Sequence, residues 1–555
     1  MKIKLVNAVR KAVQELYLVD LDPQLEHPRQ ESFGDYATSV ALGIARRTGS
    51  DPLEVGSQLK LKLEPAVSDL ISKIEVVEPG FLNFWLKEDI LMGEVRRILN
   101  REEKYGRSEW GKGKTVVIDY SAPNIAKRFG VGHLRSTVIG QALYNLYQFL
   151  GYKTIGDNHL GDWGTQFGAL LRQVKSKKLN VKDLNVDRLE ELYVAFHREA
   201  EKNPKRMEEA REWFLKLESG DKEARAIWQA VVEVSLKEFD RIYALLGVKF
   251  DYAYGESFYE DKIPALLEEV RRKNLSKKSE GAEIVEFPNL PPAILVKSDG
   301  ATTYFTRDLA TIKYRLETWN PQKIIYEVGA DQKLHFQQVF AAAEMLGWAE
   351  GRELVHVPHG LIRFAEGKMS TRRGQTIQLE EILQEAITRA EKLTGAKGEI
   401  ARAVGVGAIK YFDLSHHPTT DIIFDWEQMF LLEGNSAPYL QYTYARANNV
   451  LRKAQIARLT VDSQQLTVGE EEMPLLRYIY RFPEVVEEAT KANSPNLVGN
   501  YLFELSQRFN SFYAAVPIIK APAKQRDLRL GLTAACAHVL KNGLTLLGIE
   551  TPERL

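Results

Sequence analysis

One cysteine in 555 residues removes whole classes of protein from consideration. A lone thiol, Cys536, set in the small apolar stretch Leu532 to Leu540, builds neither a disulfide framework nor a cysteine-rich zinc site. A buried, inert thiol is the expectation. No apolar run reaches the roughly eighteen residues that a membrane helix needs, and the opening M-K-I-K-L-V-N-A-V-R-K has no apolar stretch of the kind that directs secretion. A cytoplasmic protein without a membrane partner is therefore expected. Net charge is missing as well: 75 Lys and Arg face 75 Asp and Glu. That balance is no polycation signature, so any nucleic acid must be held by local patches. Internal repeats, low-complexity tracts and a G-x-x-x-x-G-K-[ST] phosphate loop are all absent.

What is present is enough apolar sequence, 44%, to give three or four domains a core each. Val116, Val117 and Ile118 form the β-branched run of a buried parallel strand; Ser121 to Gly132 breaks the pattern with Pro and Gly, and Leu134, Val138, Leu143 and Leu146 continue at helical spacing. A strand, a glycine turn and a helix N-terminus place N–H donors where a nucleotide phosphate can sit. A second such unit runs from Lys153 to Gly168, and together the two predict a doubly wound parallel sheet. Lys175 onward is charged and helical, an insertion reaching to about residue 295. It includes a basic run, Arg271 to Lys278, that reads equally as a solvated face or a nucleic-acid contact. The sheet pattern is expected to resume with a strand at Thr302 to Leu309 and again at Lys323 and Leu354, and everything beyond Leu379 reads as helix bundle. At the front, helices lead into paired strands turning at Pro79-Gly80.

The string S-x-P-N-x-A-K-x-F-x-V-G-H-L-R-S-T around His133 resembles the HIGH region of class I aminoacyl-tRNA synthetases, in the form used by the arginyl-tRNA synthetase family. Residues 366 to 374, E-G-K-M-S-T-R-R-G, resemble the family's KMSKS loop, and residues 433 to 446 its anticodon-binding helix. The resemblance implies an α/β plus all-α chain with a Rossmann-like catalytic sheet. Its regions would be an N-terminal module at 1–112 that meets the outer corner of the tRNA, a catalytic domain at 113–376 with the insertion at about 175–295, a helical stem-contact region at 377–430, and a C-terminal helical anticodon domain at 431–555. It also implies the reaction: L-arginine, ATP with Mg2+ and tRNA(Arg) give arginyl-tRNA, AMP and diphosphate. No structural metal is expected, and the chain is expected to act as a monomer.

Carried over residue by residue, Gly130, Gly132, His133, Lys368, Met369 and Ser370 would meet ATP. Asp119, Ser121, Asn124, His159, Tyr304, Asp308 and Gln338 would meet arginine. A guanidinium is a rigid planar fork that wants carboxylates and, on its face, an aromatic ring; Asp119, Asp308 and Tyr304 supply those types. Phe33, Tyr36, Tyr439, Tyr442 and Arg446 would meet tRNA, since single-stranded bases stack on aromatic rings and Arg planes. Two positions depart from the family pattern. Gly130 stands where the first HIGH histidine is usual and Thr371 where the second KMSKS lysine is, so Lys127 is the candidate for the missing cation, with His133 and Lys368 completing the catalytic set. Synthetases of the cysteinyl or glutamyl group and a non-catalytic tRNA-binding paralogue are the alternatives; neither group needs two acids in its side-chain pocket.

Overall fold

The computed structural model describes residues 1–364, 378–455 and 468–555. The chain forms two compact units, one of Met1–Tyr105, Arg446–Phe482 and Glu504–Lys541, the other of Gly106–Ala445, Pro483–Phe503 and Asn542–Leu555.

In the first unit, a three-stranded antiparallel sheet runs in the order Tyr36–Thr38, Phe81–Leu86, Ile71–Val77. Helices Lys2–Tyr17, Val40–Thr48 and Pro52–Ala66 accompany it. Asp51 starts the last of these by accepting from the N–H groups of Leu53 and Glu54, with Pro52 in the first turn where its missing N–H costs nothing. Asp35 is fully buried, accepts from Leu86 N at 2.8 Å and pairs with Arg477.

The second unit is built on a four-stranded parallel sheet. Its strands are β1 (Thr115–Asp119), β2 (Lys153–Asp157), β3 (Lys323–Gly329) and β4 (Glu353–His359), in the spatial order β4-β3-β1-β2. Chain order reverses between β1 and β3, so the carboxyl ends of those two strands flank a crevice where such sheets bind ligands. Helix α1 (Leu134–Phe149) follows β1, α2 (Tyr304–Trp319) precedes β3, and α3 (Lys333–Met345) lies between β3 and β4. The insertion contains helices Val186–Lys202, Lys205–Glu218 and Lys222–Leu246. A small antiparallel sheet, Ser276–Ser279, Ala282–Val285 and Ala293–Val296, comes after them.

Two expectations from sequence are corrected. Thr302 to Leu309 is no strand: Tyr304 opens α2, whose Leu309, Ile312 and Leu316 are buried at helical spacing. The β-forming local composition T-T-Y-F-T yields to that stripe. The region beyond Leu379 is not wholly helical either, because Ile422–Phe424 pairs in parallel with Ile362–Phe364. Helix α4 (Glu399–Leu414) lies between them in sequence after the helix Leu379–Thr394.

Candidate active site

A cavity of about 460 Å³ opens at the carboxyl ends of β1 and β3, lined by Asp119, Asn124, His159, Tyr304, Arg307, Asp308, Tyr326 and His335 among others. Asp119 ends β1, so its side chain emerges at the edge where the strand ladder stops. Tyr304 and Asp308 are one turn apart on α2 and therefore share a face. Tyr304 is 64% exposed; the guanidinium of Arg307 lies 5.9 Å from its ring centre, and the exposed surface of the ring leaves room for a second flat cation. Asp308 Oδ2 lies 2.5 Å from Nε2 of His335, and its Oδ1 lies 3.9 Å from Nε2 of His159. Burial lowers the pKa of His159 despite the nearby Asp308, which keeps the ring a neutral hydrogen-bonding group.

Five of the seven residues assigned to arginine line this cavity: Asp119, Asn124, His159, Tyr304 and Asp308. The other two do not. Ser121 is buried, its hydroxyl 2.8 Å from both Thr137 Oγ1 and Tyr243 OH, and its neighbour Ala122 reaches the cavity instead. Gln338 donates to the carbonyl of Pro291 at 2.9 Å. Neither lines the cavity in this structure.

Six polar lining residues were passed over by the sequence reading: Glu256, Arg307, Tyr326, Asp331, Gln332 and His335. The carboxyl of Glu256 is pushed up to about 8 by burial, against the pull of Arg307 and with help from Asp308 and Asp162. Arg307 is committed to Glu260, at 2.8 Å. Beneath the lining, Arg315 is fully buried and bridges Asp119 and Asp157. Burial pushes both carboxyls up while Arg315 works the other way. Its sequence signal was its spacing, seven residues after Asp308 on the same helix face, although an arginine in a helix ordinarily reads as surface.

The phosphate side is formed by the turn into α1. His133 immediately precedes the helix. Burial lowers the pKa of its ring against the opposing effect of the Gly130 backbone, and among the described residues Nδ1 makes no hydrogen bond of full geometry. A ring nitrogen so placed at a helix N-terminus can serve a phosphate oxygen. Among the described residues, a side chain built on Gly132 would meet nothing within 4 Å, so none of them demands glycine there; close approach of a ligand would. The backbone of Gly130 is bridged to Gln378. Lys127 is exposed, with Nζ 5.8 Å from the ring centre of Tyr193, whereas Arg128 is tied to Asp187 and Glu190 at 2.8 and 3.1 Å. Of the two, only Arg128 is held by carboxylates among the described residues. Lys368, Met369 and Ser370 lie outside the described residues.

The helix is anchored from below. Arg135 and Asp413 of α4 form an ion pair at 3.1 Å with both side chains 1% exposed, and Arg135 also donates to the carbonyl of Thr420 at 2.6 Å. Nearby, His359 at the end of β4 pairs with Glu327 of β3 at 2.9 Å.

The residues assigned to tRNA fare unequally. Phe33 is 40% exposed, but Tyr36 is fully buried, packed 4.8 Å from the ring of His27 and 6.1 Å from that of Tyr480. A ring with no exposed face cannot stack on a base, so Tyr36 belongs to the core. On the helix Ala437–Ala454, Tyr442 is 40% exposed. Tyr439 packs on Phe503 at 5.8 Å, and Arg446 bonds Asn510 at 2.5 Å and lies over Tyr513. Among the described residues, no three His, Cys, Asp or Glu side chains are placed to hold a metal ion, and no helix is long and apolar enough to cross a membrane.

Comparison with known proteins covers the whole chain. Residues 94–426 match the family described as tRNA synthetases class I (R), catalytic domain; 440–555 match the DALR anticodon binding domain, and 4–86 the arginyl tRNA synthetase N terminal domain. An arginine–tRNA ligase of Clostridioides difficile (strain 630) is 41% identical over 100% of this chain and 99% of its own length. One from Chloroflexus aggregans is 42% identical over 93% of each chain. Among solved structures, arginyl-tRNA synthetase from Plasmodium falciparum superposes with a TM-score of 0.85 at 25% identity, covering 100% of this chain and 99% of its own. The Thermus thermophilus arginyl-tRNA synthetase has the same fold, with a TM-score of 0.85 at 24% identity and full coverage of both chains.

Proposed function

The chain belongs to the arginyl-tRNA synthetase family, and from that premise we propose how its residues divide the work of joining arginine to tRNA. The enzyme uses ATP to ligate L-arginine to its tRNA, and arginine rather than cysteine or glutamate is its amino acid. The cavity at the sheet's switch point holds the arginine side chain. Asp308 receives the guanidinium, Tyr304 packs against its face, and Asp119 closes the far end. Asn124 and His159 orient the amino-acid end toward α1. The observation that carries this assignment is the juxtaposition on α2 of an exposed ring and, one turn on, a carboxylate that both open into a single cavity.

Activation is attack by an arginine carboxylate oxygen on the α-phosphorus of ATP; the bond to the bridging oxygen breaks and diphosphate leaves. A hydroxyl of the tRNA's terminal ribose then attacks the carbonyl of the adenylate and AMP departs. Little covalent work falls to the protein, which positions the groups and neutralises charge on the phosphoryl oxygens. His133 donates to a phosphate oxygen from the head of α1, Gly130 and Gly132 let the nucleotide approach, and Lys127 with Lys368 brings cations onto the triphosphate. Met369 and Ser370, which follow Lys368 in sequence, meet the ATP as well. Mg2+ accompanies the ATP.

The regions share out the tRNA. The N-terminal module, 1–112, meets the outer corner through Phe33, residues 377–430 meet the stem, and 431–555 reads the anticodon with Tyr439, Tyr442 and Arg446. The enzyme acts as a monomer in the cytoplasm. Asp308→Ala tests the arginine assignment: arginine KM should rise at least a hundredfold while ATP KM changes little, because a guanidinium left without its carboxylate is a buried charge unpaired. An unchanged arginine KM would sink it.

A further inference from the structure

Asp119 and Asp157 end neighbouring parallel strands in the same register, and both are buried, at 4% and 0% exposure. Two carboxylates on adjacent strands, roughly 5 Å apart at the backbone, repel strongly out of water, and such a pair keeps a proton between them unless a cation intervenes. Here the cation is Arg315. Its Nη2 donates to Oδ2 of Asp119 and to Oδ2 of Asp157, each at 2.7 Å, and Nε reaches the same Asp157 oxygen at 3.0 Å. The guanidinium is fully buried and lies 5.2 Å from the ring centre of Tyr326. Burial works against its charge, but the two carboxylates hold its pKa well above the ordinary value.

The arrangement reproduces, inside the protein, the kind of contact the cavity is built to make with its substrate. Arg315 follows Tyr304 and Asp308 on α2 by eleven and seven residues, close to three and two helical turns, so one helix face carries ring, acid and internal guanidinium in series. A lysine could not take its place equally well, because an ammonium is a point charge without the fixed fork that spans two acceptors.

We infer that Arg315 is a positioning residue for arginine specificity: it fixes Asp119 in place and offsets one of the two strand-end charges, so that the cavity accepts one further guanidinium, the substrate's. The inference rests on the reading of this cavity as the arginine site. A plain structural ion pair would hold the fold together without touching substrate preference; Arg315 acts on the substrate through Asp119.

The test is aminoacylation by the full-length enzyme, with arginine KM, ATP KM, kcat and thermal midpoint measured for each variant. Arg315→Met leaves two uncompensated carboxylates and should raise arginine KM roughly tenfold or more with ATP KM within about twofold. Adding Asp157→Asn restores the charge balance and should recover most of that loss. Arg315→Lys keeps the charge and hence folding, and should raise arginine KM about threefold to tenfold. An Arg315→Lys enzyme with normal arginine KM, a parallel rise in both KM values, or a double variant no better than Arg315→Met would each overturn the inference. Asp308→Ala run alongside separates the two levels: if it too leaves arginine KM unchanged, the cavity is not the arginine site; if it alone raises KM, only the role of Arg315 fails.

Discussion

Nε2 of His335 on α3 lies 2.5 Å from Oδ2 of Asp308 on α2, so the acid assigned to the substrate guanidinium is already held from one side. The hydrogen bond fixes the plane of the carboxylate and leaves Oδ1, which is turned toward His159, for an incoming fork. A guanidinium needs a carboxylate at a set angle more than it needs charge alone.

His335→Ala should therefore raise arginine KM by roughly three- to tenfold, the worth of one hydrogen bond of about 1 kcal/mol, and less than Asp308→Ala does. Steady-state kinetics at saturating ATP and tRNA measure it. An effect on kcat alone would place His335 elsewhere in the reaction.

Lys127→Ala and Lys368→Ala should each slow activation by about a hundredfold, on the order of 3 kcal/mol of transition-state stabilisation, with arginine KM little changed. Diphosphate exchange in the presence of tRNA reads the step directly. A near-normal Lys127→Ala enzyme beside a crippled Arg372→Ala one would move the second cation into the KMSKS-like segment, residues 366 to 374.

Phe33 and Tyr36 should separate cleanly. Phe33→Ala removes a half-exposed ring and should raise tRNA KM while leaving the thermal midpoint alone. Tyr36→Ala empties a site in the core and should cost about 3 kcal/mol or more of stability. Equal melting curves for the two variants would contradict the burial difference.

Glu256 makes stability depend on pH. Its folded-state pKa of about 8 stands above the ordinary 4.5, so the folded protein holds a proton that the unfolded chain releases. The stabilisation is full below about pH 4.5 and declines as pH rises toward 8, with a slope of up to about 1.4 kcal/mol per unit. Glu256→Gln should flatten that decline and melt higher than the parent at pH 8. Parallel pH profiles for the two proteins would show that the carboxyl is ionised throughout.

The catalytic sheet was legible because β1 and its turn combine an apolar run, a break and a helical period in the order that a doubly wound sheet requires. The misreading of Thr302 to Leu309 has a local cause. Five β-forming residues outweighed a helical stripe that declares itself only at Leu309, Ile312 and Leu316. Ile422–Phe424 was missed because three residues are too few to show a period. In the cavity, Asp119, Tyr304 and Asp308 were named by the family resemblance and are of types a guanidinium would want, but Ser121 and Ala122 are adjacent and only backbone direction decides which faces inward. Arg315 was hidden by its type: no sequence pattern says that an arginine is buried when its partners, Asp119 and Asp157, lie 196 and 158 residues away. Phe33 and Tyr36 are two aromatics three residues apart, and their different fates depend on packing partners distant in sequence, Tyr480 above all.

The buried pairing of Arg135 with Asp413 also has a genetic consequence. Either residue changed alone leaves a buried charge without its counter-ion, whereas a matched exchange of both for apolar residues of similar volume need not. The two positions are thus bound to a common fate in any mutational history: a library that randomises the nucleotide-binding turn while holding α4 constant should return almost nothing but arginine at 135, and one that varies both should return new pairs.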